Sequence, residues 1–301
     1  MFSSNRTVDV FDNDVSDGFF EASSKWAHLS TLLLCRQTRW PATLTYFPQC
    51  FTGMTALKHL QLKSLVDYDA LPPHLSALPT QLETLDLYGN KLHNPQNSDV
   101  DHLSLMTQLK VLNLSWCDIT APDLASLTPA LSKYKDLTAL NLSGNHLMSL
   151  SEVAALVPCL PNLQVLVLND CYLTDNDVMR FVPKCRPLRE LNIVNSRLGS
   201  QSIQALAGWP HLLALEKLYM KCQTNVNTSP LEVALGASFC LIDCDVANCA
   251  AILKNNRIRQ ATLESKSGMN WPKGSVLVST YETEWTCDGG FILKGAERSN
   301  K

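Results

Sequence analysis

The chain has 301 residues, 46% of them hydrophobic, with Lys+Arg 25 against Asp+Glu 28. That is apolar material enough for an ample core, and the balanced, scattered charge lacks the basic footprint expected of a nucleic-acid binder. The 11 cysteines are an odd, dispersed set, and no stretch reaches the roughly eighteen apolar residues of a membrane span, so the thiols are expected reduced, in a cytoplasmic protein.

In chain order, residues 1–24 come first. They combine Asp9, Asp12, Asp14 and Asp17 with Phe11, Phe19 and Phe20, carry Arg6 as their one basic residue, and have no continuous apolar run. That excludes a secretory signal and predicts an acidic tail, disordered or docking its phenylalanines on a partner or on the first repeat.

From Trp26 the pattern becomes periodic. The template L-x-x-L-x-L-x-x-(N/C)-x-L opens at Leu57, Leu82, Leu109, Leu137, Leu163 and Leu188, with starts 25 to 28 residues apart. "HLSTLLLCRQTR", from Leu29, gives a first unit, and a decayed one opens at Leu215. A fixed period of this length predicts a solenoid. Within a unit, Leu140 and Leu142 are two apart, as inward residues of a short strand must be, which turns Asn141 outward.

The ninth place reads Gln37, Leu65, Asn90, Cys117, Asn145, Cys171, Ser196 and Gln223. It lies where the chain leaves the strand, and a side chain there can satisfy buried loop backbone, so the series predicts a structural ladder that decays toward both ends. Between strands the period becomes helical. Leu124, Leu127 and Leu131 form one stripe, and Val153, Leu156, Val157 and Leu160 another. Capping-box spacing in Ser149 with Glu152 and Thr174 with Asp177 predicts helix starts after Leu147 and Leu173.

These units, with Asn or Cys at the ninth place, resemble the leucine-rich-repeat family, in a blend of its ribonuclease-inhibitor-like and cysteine-containing classes. The resemblance covers Trp26 to Asn225. It agrees with what the periodicities predict, an α/β solenoid or horseshoe with a concave parallel β-sheet and convex helices. The expected organisation is a tail at 1–24, a solenoid at 25–225, and degenerate repeats with a C-terminal cap at 226–301. In that last part Phe239, Leu241, Cys244 and Val246 keep repeat offsets, as do Ile258, Ala261 and Leu263. "SVLVSTYETEWTCDGGFIL" then alternates in the β manner around an Asp288-Gly289-Gly290 turn, and an independent small domain there is the alternative.

No G-x-G-x-x-G, Walker, G-x-S-x-G or H-E-x-x-H motif occurs. Cys240, Cys244 and Cys249, with Cys287, lack a C-x-x-C pair, so neither metal nor cofactor is expected. Arg36 and Arg39 could serve a GTPase-activating partner, but nothing around them is diagnostic.

The outward strand positions are more informative. Val111, Val165 and Val167, with Tyr88, Trp116 and Tyr219, predict an apolar and aromatic contact patch flanked by Asp86, Asp170 and Glu190. The competing expectation is that Trp116 folds down onto a neighbouring repeat. The sequence thus predicts a non-enzymatic scaffold that binds a protein on its concave face, with no nucleic acid, membrane or small-molecule substrate. The alternatives are a GTPase-activating regulator and a ubiquitin-ligase substrate receptor.

Overall fold

A computed structural model of the chain describes residues 6–11, 17–35, 47–63, 78–90, 92, 101–145, 151–215, 217–222, 226–227, 229–235, 241–242, 284–285 and 291–292. Ten strands form one sheet in sequence order: β1 (Thr7–Phe11), β2 (Thr31–Cys35), β3 (His59–Lys63), β4 (Thr84–Asp86), β5 (Val111–Asn113), β6 (Ala139–Asn141), β7 (Val165–Val167), β8 (Glu190–Leu198), β9 (Lys217–Cys222) and β10 (Leu241–Ile242). Every neighbouring pair is parallel, and the register aligns the template leucines Leu60, Leu85, Leu112, Leu140, Leu166, Leu191 and Leu218 into one buried row. A strand-to-parallel-strand step needs a crossover, and among the described residues the segments between strands contain short helices.

Those helices are α1 (Asp17–Ser23), α2 (Phe47–Cys50), α3 (Ala121–Leu131), α4 (Ser151–Leu156), α5 (Asp175–Phe181), α6 (Ser200–Ala207) and α7 (Ser229–Leu235). The predicted stripes are buried at Leu124, Leu127, Leu131, Val153, Leu156, Val157 and Leu160, and they share a single core with the strand leucines. The Thr174 and Asp177 capping box opens α5, with Thr174 N–H donating to Asp177 Oδ2 at 2.9 Å. Thr120 and Asp123 build a second box at α3. Ser149 lies outside the described residues.

The ninth-place ladder is present. Asn145 Nδ2 donates to the carbonyls of Leu114 and Leu142, both at 2.8 Å, while its Oδ1 accepts the N–H groups of Cys117 and Ile119, both at 3.0 Å. Asn90 Nδ2 donates to Leu62 O at 2.5 Å and Leu87 O at 2.7 Å. The cysteines keep half of this role. Cys117 Sγ donates to Leu87 O at 3.1 Å and Cys171 Sγ to Leu142 O at 3.3 Å. Decay begins at Ser196, whose buried Oγ has no hydrogen-bond partner among the described residues. Gln37, Leu65 and Gln223 lie outside the described residues.

At the N-terminus the structure differs from the expected tail. β1 pairs with β2 from Thr7↔Thr31 to Phe11↔Cys35, so the sheet starts one strand before the first recognised unit. Phe20 of α1 is fully buried in the core, and Phe19 packs edge-on against Trp26 at 5.4 Å between ring centroids. The cause is geometric: Val8 and Val10, set two apart, face the core as template leucines do.

At the other end β10 extends the sheet, as continuing repeats require. β11 (Glu284–Trp285) and β12 (Phe291–Ile292) pair antiparallel, and Asp288-Gly289-Gly290 lies outside the described residues. Cys240, Cys244, Cys249 and Cys287 lie outside the described residues, as do Arg36 and Arg39.

Candidate interaction surface

The face of the sheet away from the core carries two outward rows. One runs Thr84, Val111, Ala139, Val165, Glu190; the other runs Asp86, Asn113, Asn141, Val167, Asn192, Tyr219. An open contact strip would leave these side chains accessible. Instead Asp86, Val111, Glu190 and Tyr219 are buried, Val167 has 0% exposure, and Val165 is half-buried. Each outward side chain has an in-register neighbour about 4.8 Å away on either side, which covers its flanks.

The second row is also structural. Asp86 Oδ1 accepts the N–H of Tyr88 at 3.0 Å, Asn113 Oδ1 that of Ser115 at 3.0 Å, and Asn141 Oδ1 that of Ser143 at 2.9 Å. The polar fifth place therefore forms a second ladder, turning each strand into its exit loop. Asn141, expected to point freely outward, is buried and engaged. The signal was in the sequence as the recurring "NLS" of residues 113–115 and 141–143.

The accessible aromatic residues stand at the rim where strands exit. Tyr88, Trp116 and Tyr172 have relative exposures of 38%, 52% and 57%. Trp116 occupies the eighth place of its unit with φ 57°, and the same place holds Gly89 at 72°, Gly144 at 66° and Asp170 at 55°. The left-handed region suits glycine and penalises a bulky residue. The indole lies against the backbone of Gly144 so closely that a Cβ there would collide with it. Trp116 thus folds down onto the next repeat, as one expectation had it, while about half of the side chain stays exposed.

Tyr172 had escaped notice. It sits at the tenth place with φ 55°, as does exposed Asp118 in the other cysteine-bearing unit. Leucine spacing carries no sign of a left-handed tenth residue.

Charge is arranged around this rim. Asp86 is bound by Gln61 Nε2 at 2.8 Å and paired with Lys63 Nζ at 3.3 Å. Asp175 Oδ1 accepts the N–H groups of Gly199 at 2.6 Å and Ser202 at 3.1 Å, together with the Ser202 hydroxyl, capping α6 from the preceding repeat. Burial works against its ionisation, yet those hydrogen bonds hold its pKa below the ordinary value. On the opposite rim Glu83 bridges Lys110 at 2.7 Å and Lys58 at 2.5 Å, and their hydrogen bonds lower its carboxyl to about 2.

The buried thiols are unsuited to nucleophilic work. Burial pushes Cys171 up to about 12 and raises Cys117 further, which keeps both protonated as ladder donors. Among the described residues no group of three or more His, Cys, Asp or Glu side chains could hold a metal, and no helix is long and apolar enough to cross a membrane.

A solenoid of parallel strands stitched by a repeating Asn/Cys ladder defines a class. Residues 106–127, which include Trp116, match the family described as Leucine Rich repeat. Among solved structures the chain is similar to that of the leucine-rich repeat-containing protein LegL7 from Legionella pneumophila, at 17% identity and a TM-score of 0.39, over 71% of this chain and 81% of that one. The family match over residues 106–127 and the repeated strand-and-ladder unit fit an α/β leucine-rich-repeat solenoid fold, and the strand-plus-helix units are compatible with the ribonuclease-inhibitor-like class. Such solenoids are in general protein-interaction scaffolds and in general not enzymes.

Proposed function

We propose that this protein is a non-catalytic scaffold that binds a protein partner through the strand-exit rim of its sheet, around Tyr88, Trp116 and Tyr172, within a larger assembly. The buried outward residues Val111, Val167, Asp86, Glu190 and Tyr219 shape and stiffen the platform, and half-buried Val165 and Asp170 border the contact. One observation carries the reading. A tryptophan sits half-exposed in a left-handed conformation that adjacent repeats give to Gly89 and Gly144.

The backbone does not call for that choice, because glycine would adopt it without strain. A rigid, partly desolvated aromatic residue on a stiff sheet is the usual anchor of a protein interface. A cytoplasmic setting fits the same reading, since Cys117 and Cys171 act as hydrogen-bond donors only while reduced.

The test is Trp116→Gly. The variant should keep a cooperative melting transition and lose the proteins that co-purify with the wild-type chain, read by quantitative mass spectrometry. Undiminished recovery of every partner by the folded variant refutes the rim as the binding site.

A further inference from the structure

The chemistry of the rim narrows the partner. Exposed Asp118 follows Trp116 by two residues and lies in the loop before α3, outside any helix cap, whereas Asp123 and Asp177 are buried in capping boxes. Among the described residues Asp118 has no cation within ion-pairing distance. The repeats are stitched at this level, Trp116 N–H donating to Ser143 O and Gly144 N–H to Asn169 O, each at 2.7 Å. The eighth-place row therefore runs Trp116, Gly144, Asp170, with Asp170 two strands, or about 10 Å, from the Trp116 backbone.

Trp116 leans over Gly144 and leaves its other side exposed, with Asp118 in the same loop and Asp170 further along the same row. Lys133, Lys184 and Arg186 stand on the opposite edge, where they precede the strands; on the exit rim itself Lys63 lies in β3, and Arg197 lies in the strand next to Tyr172, its N–H bound to Leu173 O at 2.7 Å.

We infer that the rim takes a basic peptide segment of its partner, with an arginine stacked on Trp116 and its guanidinium drawn by Asp118 and Asp170; this rests on the rim being the binding site. An exposed indole face accepts a cation within about 6 Å of the ring centre, and a guanidinium is planar, weakly hydrated and able to reach a flanking carboxylate while stacked. An acidic segment would meet two carboxylates at the same place and be repelled.

The experiment selects a random dodecamer peptide library on the immobilised full-length chain, then measures synthetic copies of the selected peptides by fluorescence polarisation. Arginine-bearing peptides are expected, with affinity falling at least about tenfold between about 0.05 and 0.5 M salt. They should weaken about tenfold on the Asp118→Asn, Asp170→Asn double variant and about thirtyfold on Trp116→Gly. Circular dichroism melting confirms that both variants are folded. Peptides without basic residues that are lost on Trp116→Gly overturn the basic-segment inference and leave the rim standing. Peptides of any charge that bind Trp116→Gly as tightly as wild type overturn both, and a chain that selects no peptide overturns the inference.

Discussion

Asn145→Ala is the sharpest test of how the repeats hold together. The side chain accepts two buried N–H groups, those of Cys117 and Ile119 in the preceding repeat, and donates to the carbonyls of Leu114 and Leu142. Alanine replaces none of these bonds and leaves no room for bulk water. A buried donor left unsatisfied costs about 1–3 kcal/mol, so the two N–H groups alone set the loss at about 2–6 kcal/mol. The carbonyls retain other acceptor geometry and should add less.

Ser196→Ala is the internal control, because it changes the same template place at a hydroxyl without a hydrogen-bond partner among the described residues. Its expected effect is within about 0.5 kcal/mol. Urea denaturation followed by tryptophan fluorescence and far-UV circular dichroism measures both. Equal destabilisation by the two substitutions, or a loss under about 1 kcal/mol for Asn145→Ala, refutes the ladder as an energetic element.

Four further outcomes follow from named contacts. Phe20→Ala, which empties a fully buried site in α1, should cost about 3–5 kcal/mol in denaturant unfolding, and a neutral result would return the N-terminal segment to a loosely attached tail. Trp116→Gly exchanges backbone strain for lost packing of a half-buried indole, so its melting temperature should fall far less than that of Leu140→Ala, a core change costing about 2–5 kcal/mol. The lowered pKa values of Glu83 and Asp175 make them stabilising above about pH 4–5, where both folded and unfolded forms are ionised. That contribution is lost as pH falls through the folded values, toward about 2 for Glu83, and a salt-sensitive drop in melting temperature over that window checks it. Cys117 and Cys171, buried and protonated, should resist iodoacetamide at pH 8 in the native state and react on unfolding, as peptide mass mapping would reveal.

The fold was legible because its signals are local and repeated. A leucine at fixed offsets fixes a strand, and Asn or Cys at the ninth place marks the ladder, so Asn90, Cys117, Asn145 and Cys171 could be assigned from spacing alone. β1 was hidden because Val8 and Val10 carry the core face without a leucine, beside acidic Asp9. The burial of Asp86 and Asn141 was misjudged for another reason. Alternation along one strand gives the face a side chain points to, whereas its exposure depends on neighbours in the adjacent strands, which become neighbours only in the folded sheet. Tyr172 was invisible because its exposure follows from a left-handed backbone angle that no residue spacing encodes.

That contrast bears on where function can reside in this molecule. Positions four, six and nine of each unit fill the core or its ladder, and position five closes the exit turn wherever Asp86, Asn113 or Asn141 stands. Substitution at any of them alters stability before it can alter recognition. The eighth and tenth places obey a different constraint. The backbone there is left-handed in Gly89, Trp116, Gly144 and Asp170, and again in Asp118 and Tyr172, so glycine is the structurally neutral residue, aspartate is tolerated, and a bulky side chain such as Trp116 or Tyr172 adds about 1 kcal/mol or more of strain. Trp116, Asp118, Asp170 and Tyr172 occupy those places along one rim, so the proposed binding surface can change its side chains without touching the leucines or the ladder that hold the core.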